Sequence, residues 1–104
     1  MAQAELAGAT VEVTDEGYLT DAAQWTKEIG NAIAGELNIE MTDEHWAVID
    51  FLQNYAKENG GLPTIRRLAK QGGVSTKDFY RLFPGGPLKN SAKIAGLPKP
   101  ASCI

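Results

Sequence analysis

Thr42-Asp43-Glu44-His45-Trp46-Ala47-Val48-Ile49-Asp50-Phe51-Leu52-Gln53-Asn54-Tyr55-Ala56-Lys57-Glu58-Asn59-Gly60-Gly61 decides how the chain is read. Thr42 is a helix N-cap residue, and Asp43 and Glu44 complement the dipole of the first turn. His45, Val48, Ile49, Leu52 and Tyr55 recur at helical spacing, whereas Asp50, Gln53, Asn54 and Lys57 fall elsewhere on the wheel. Asn59-Gly60-Gly61 ends the helix. His45 is the only histidine and has no cysteine or second histidine at ligand spacing, so it reads as a packed or capping residue. Trp46 and Phe51 read as core or partner-facing side chains.

Downstream, Pro63 marks the start of a third helix with Ile65, Leu68 and Ala69 on its apolar face, closed by Gln71-Gly72-Gly73. Ser75, with Asp78 three residues on, forms a capping box for a fourth helix over 76–82. Helix, short glycine turn, helix is the helix-turn-helix outline, and Arg66, Arg67, Lys70, Lys77 and Arg81 decorate it. Such a pair fits nucleic acid but is also common in helical domains at large. Phe83-Pro84-Gly85-Gly86-Pro87 is a breaker loop without phosphate-loop spacing. A short last helix follows over 89–95, with Gly96 as its C′ residue.

Upstream, Asp21 caps a first helix in a box with Gln24, and Trp25, Ile29, Ala32 and Ile33 form its stripe. That helix ends between Gly35 and Leu37, before the turn-prone Asn38. Before it, Thr10-Val11-Glu12-Val13-Thr14 alternates, Asp15-Glu16-Gly17 turns, and Tyr18-Leu19-Thr20 returns, giving a β-hairpin or small meander. The fold class is therefore α+β and mostly helical: a small N-terminal β-meander or hairpin on an array of about five helices.

The 104 residues suit a single domain with one modest core. No run of eighteen apolar residues is present, so no membrane insertion is expected. Residues 1–19 carry acids and no basic n-region, and one cysteine excludes an internal disulfide, so a cytoplasmic protein is expected. Charge is polarised. Residues 1–60 hold two basic and twelve acidic side chains, net −10, and residues 61–104 hold eight basic and one acidic, net +7. The basic half can meet nucleic acid, an acidic protein or a phosphorylated cofactor, or can pair with the acidic half inside the fold. There is no Ser–His–Asp arrangement, catalytic carboxylate pair or metal-ligand cluster, and no cofactor is expected.

The chain closes on Ile94-Ala95-Gly96-Leu97-Pro98-Lys99-Pro100-Ala101-Ser102-Cys103-Ile104, with the only cysteine penultimate. Pro98 and Pro100 each fix φ and disfavour helix at the residue before. The expectation is an extended, polyproline-like mobile arm over 96–104 carrying a thiol near its tip.

Leu82-Phe83-Pro84-x-Gly86-Pro87, followed by Lys93-Ile94-Ala95-Gly96-Leu97-Pro98-Lys99-Pro100-x-x-Cys103-Ile104, resembles the signature end of the DsrC/TusE family. Asp15-Glu16-Gly17-Tyr18-Leu19, Glu44-His45-Trp46 with Ile49-x-Phe51-Leu52, and Pro63-x-x-Arg66 resemble its upstream segments. These are small sulfur-relay proteins, among them the gamma subunit of dissimilatory sulfite reductase. The resemblance implies a small β-meander packed on helices, and a persulfide carried on Cys103. It further implies that Arg66, or another basic residue of the third and fourth helices, lies near the arm and steadies the thiolate. Lys93 and Lys99 are expected to guide docking on an acidic partner or to be simply solvated, Gly96 to act as hinge, and Pro98 and Pro100 to stiffen the arm.

Members that serve sulfite reductase carry a second cysteine eleven positions before the penultimate one. Here that position is Ala92, so a disulfide or trisulfide within this chain is excluded. In that respect the chain resembles the TusE-like members. Its short loop over 71–77 resembles members from sulfate reducers instead. The implied partners are sulfur-donor and sulfur-acceptor proteins: a TusBCD/DsrEFH-like complex, and a tRNA thiolase or sulfite reductase. The protein would be a sulfurtransferase-type carrier rather than a stand-alone enzyme. Two other readings stand beside it. One is a helix-turn-helix DNA-binding regulator contacting nucleic acid through Thr76, Lys77, Tyr80 and Arg81. The other is a non-catalytic docking subunit of sulfite reductase.

Overall fold

Strands β1 (Ala2–Leu6) and β2 (Ala9–Val13) form an antiparallel hairpin, from Ala2 opposite Val13 to Leu6 opposite Ala9. The computed structural model describes residues 2–98. The link is Ala7-Gly8, both at positive φ (52° and 80°), which is the two-residue turn whose twist matches that of paired strands. The alternating run around Val11 thus pairs with the segment before it, where the sequence suggested a return strand at Tyr18–Thr20. Leu19 makes only an isolated bridge to Val13. Ala-Gly lacks the Asn or Asp that advertises such a turn, so the first strand was hidden. Leu6, Val11 and Val13 point into the core, and Thr10 and Glu12 point out. Thr14 then shapes the next turn: its hydroxyl accepts from the Glu16 and Tyr18 amides (3.3 and 3.2 Å).

Asp21 caps a 3-10 turn over Ala22–Gln24, not a longer helix. Gln24 accepts from the Glu12 amide (3.2 Å) instead of closing a box on Asp21. Helix α1 (Lys27–Glu36) begins afresh at Thr26, whose hydroxyl accepts from the Ile29 amide. Trp25 therefore lies in the kink between the two and not on the helical stripe. Asn38 adopts a left-handed conformation (φ 59°), and the Ile39 and Asn38 amides close on Ala34 and Gly35.

Helix α2 (Asp43–Asn59) follows the expected boundaries and buries His45, Val48, Ile49 and Leu52. Thr42 donates its amide to His45 Nδ1 (3.1 Å), and His45 Nε2 reaches the Leu82 carbonyl (2.8 Å). An acceptor at Nδ1 requires the proton on Nε2, so His45 is a neutral imidazole joining the start of α2 to the end of α4 (Thr76–Leu82). It is both capping and packed, edge-on to Phe83, which in turn meets Phe79.

Helix α3 (Ile65–Gln71) starts two residues beyond Pro63, because Thr64 supplies the cap, accepting from the Arg67 amide (3.1 Å). The buried Pro63 only leads into it. Ser75 caps α4 through the Asp78 amide (3.1 Å). Asp78 does not complete the box and pairs with Arg81, which also reaches Glu44 on α2. Helix α5 (Pro87–Ile94) starts earlier than expected: Pro87, read as part of the breaker loop, is its first residue, and Gly86 (φ 111°) is the cap.

Although only eight residues long, α5 packs against α1, α2 and α4. Leu88, Ala92 and Ile94 insert into a core shared with the hairpin residues Val11 and Val13 and with Phe79 and Phe83. The result is the α+β arrangement expected, with five α-helices behind a two-stranded hairpin.

Candidate functional site at the end of the last helix

A helix leaves its last carbonyls without intrahelical partners. At the end of α5 each of them is bonded. The Leu97 amide closes on Ala92 O (3.0 Å) and the Gly96 amide on Lys93 O (3.2 Å), a Schellman pair. The next two carbonyls are met from other elements. Trp25 Nε1 donates to Ile94 O (2.7 Å), and Gln53 Nε2 on α2 donates to Ala95 O (2.8 Å).

Gly96 turns the chain here at φ 72°. A Cβ at this position would lie 2.5 Å from Cδ1 of Trp25, so the indole face occupies the space a side chain would need. A Cβ at Gly30 on α1 would lie 3.0 Å from both Ile94 O and Trp25 Cζ2, so this glycine makes room for the indole to reach the carbonyl. Leu97 is buried, and Pro98 is the first exposed residue beyond the helix.

Next to this end, the half-buried Lys93 holds its ammonium 5.1 Å from the centre of the Tyr18 ring, a cation–π contact. Tyr18 is buried, and its hydroxyl donates to Lys89 O (3.4 Å). The Asp15–Leu19 turn and the last helix, both quoted for the resemblance, are thus in direct contact. Ala92 is completely buried on the core side of α5.

The remaining expected site residues fall as follows. Arg66 is exposed in the first turn of α3. Lys77 and Tyr80 are exposed on α4, and Arg81 is held by Asp78 and Glu44 at 3.4 and 3.2 Å. Lys99, Pro100 and Cys103 lie outside the described residues. Among the described residues, no group of His, Asp and Glu side chains could hold a metal ion. No helix there is long and apolar enough to cross a membrane.

Trp25 and Gln53 were not among the residues singled out from sequence. Gln53 reads as one more polar position off the apolar stripe. Trp25 carries one clue: an indole N–H removed from water needs an acceptor, and none is offered locally.

The family described as DsrC like protein matches residues 5–104. The gamma subunit of dissimilatory-type sulfite reductase from Nitratidesulfovibrio vulgaris is 39% identical over 105 residues, covering 100% of both chains. Sulfurtransferase TusE from Salmonella typhimurium is 39% identical over 104 residues, covering 93% of this chain and 95% of its own. A crystal structure of dissimilatory sulfite reductase I (DsrI) contains a chain that superposes with a TM-score of 0.89 at 41% identity, covering 99% of this chain and 100% of that one. The helix end, the turn that packs on it and the sequence leading to the penultimate cysteine are thus features of one family, and this chain belongs to the DsrC-like proteins.

Proposed function

We propose that the protein is a sulfur-relay carrier that accepts sulfane sulfur on Cys103 and hands it to a thiol on another protein. The observation that carries this is the fully bonded end of α5, from which the chain leaves at Pro98, five residues before its only cysteine, in a member of a family whose relatives include sulfurtransferases. In the loading step the Cys103 thiolate attacks the outer sulfur of a donor persulfide. A new S–S bond forms at Cys103, the donor's S–S bond breaks, and the donor leaves as a thiolate. Delivery repeats the exchange, with an acceptor thiolate attacking the outer sulfur on Cys103. Sulfur gained and lost balance, and no redox cofactor is needed.

Segment 96–104 acts as the delivering arm of a single-domain protein, with Gly96 as its hinge and Pro98 and Pro100 limiting the freedom lost on docking. Arg66 steadies the thiolate, and Lys93 and Lys99 steer the arm to an acidic partner. A TusBCD/DsrEFH-like complex would supply the sulfur. Of the two classes of acceptor, sulfite or sulfur metabolism is favoured over tRNA thiolation. The α3–α4 connection is short, only Gly72–Ser75, and the sulfite reductase gamma subunit aligns over its whole length.

Intact-mass spectrometry after incubation with glutathione persulfide tests the chemistry. The wild type gains one sulfur atom, which reductant removes, and Cys103→Ser gains none. Gain in Cys103→Ser, or no gain in the wild type, overturns the carrier reading.

A further inference from the structure

We propose that Trp25 and Gln53 are positioning residues for Cys103: together they clamp the hinge and set the direction in which the chain leaves the fold. The inference rests on the carrier reading above for its purpose, and on the hydrogen bonds of the helix end for its geometry.

The Schellman pair satisfies the carbonyls of Ala92 and Lys93 from within the turn itself. Those of Ile94 and Ala95 are left over, and they flank the hinge. Each takes a side-chain donor from a different element, Trp25 from the kink before α1 and Gln53 from α2. Two donors from two directions fix both peptide planes, where a single bond would leave a plane free to swing about it. The indole does a second thing, because Gly96 lies against its face and Gly30 gives it room. Hinge and clamp are therefore matched in shape as well as in hydrogen bonding. The kink that the 3-10 turn and Thr26 impose has a purpose on this view, since a continuous helix through Trp25 would carry the indole along the stripe.

Leverage explains why direction matters. Cys103 lies five residues beyond Pro98, which reaches at most about 17 Å. Over that length an error of about 10° at the hinge displaces the thiol by about 3 Å. Sulfur exchange needs the attacking and accepting atoms within about 3–3.5 Å and in line. A small loosening at Ile94 or Ala95 is therefore as damaging as a misplaced thiol.

The test uses the chain's only cysteine as the attachment point for a nitroxide spin label. Paramagnetic broadening of amide signals is compared between the wild-type protein and Trp25→Phe/Gln53→Leu, which keeps the ring and the volume and removes both donors. Loss of the bonds is read independently as faster hydrogen exchange at the Gly96 and Leu97 amides, by about fivefold per bond removed. In the wild type the broadening concentrates on one contiguous patch, and in the variant it spreads and weakens while the shifts of α2 and the hairpin hold. The same pattern in both proteins, no patch in the wild type, or unchanged exchange at Gly96 and Leu97 each overturns the clamp. If the double variant does not fold, Gln53→Leu alone, which leaves the indole in place, carries the same comparison. Persulfide loading of the unlabelled wild type is run alongside. Its failure removes the carrier reading and leaves the spin-label result to decide the geometry alone.

Discussion

At Gly96 two constraints coincide: a left-handed backbone and a contact surface with no room for a methyl group. Gly96→Ala is expected to cost about 2–4 kcal/mol, from the strained φ and the displaced indole together. Urea denaturation followed by far-UV circular dichroism checks it, and an unchanged midpoint would show that Trp25 moves aside without cost. Single residues differ in how much of their role a sequence discloses. His45 was readable because its first partner is three positions away, in the cap of its own helix. Trp25 was not, because its acceptor is 69 residues distant and its position fits a helical stripe that the chain does not build. The same holds for Gln53, whose acceptor is 42 residues away. Cys103 was legible as a candidate from its place in the sequence, and its role rests on family membership.

Among the elements, local signals gave the helices whose caps and periodicity are self-contained. The cap and stripe of α2, and the Ser75 cap of α4, needed nothing beyond four residues. Boundaries failed where two signals competed. Pro63 and Thr64 both suit a helix start, and the hydroxyl took the cap. Pro87 suits both a breaker loop and a first helical turn, and Gly86 at φ 111° allowed the second. The hairpin was the weakest because its turn is Ala7-Gly8, with an alanine held at φ 52°. That alanine gives a prediction at this scale. Ala7→Asn supplies the residue the turn geometry favours and is expected to stabilise the fold by about 0.5–1 kcal/mol. Thermal unfolding should show a higher midpoint, and a lower one would mean that Ala7 makes contacts the asparagine disrupts.

For the molecule as a whole, the least legible fact was that the shortest of the well-buried helices is the one the others gather around. An eight-residue segment between two glycine-rich turns gives little periodicity to read. Its centrality follows from contacts with α1, α2 and α4, which are not encoded within the segment. Ile94 is fully buried at the junction of those contacts, one bond from the hinge. Ile94→Ala should cost about 2–5 kcal/mol by leaving a cavity. A cooperative loss of stability in guanidinium, seen by near-UV and far-UV signals together, is the expected result. Loss of the near-UV signal alone would show that the helical layers hold without the junction.

The contact between Trp25 and Gly96 has a practical consequence. The chain contains two tryptophans. Trp46 stands apart from the hinge, with the Lys27 ammonium 4.9 Å from the centre of its ring. A Trp46→Phe protein would carry a single indole, bonded to the last carbonyl of α5 and lying against the glycine where the chain turns outward. Whatever draws the thiol-bearing segment into a partner must pull on that turn, and the indole's emission changes with it. The fold thus holds its own optical gauge, by which each engagement with donor or acceptor can be timed on unlabelled protein.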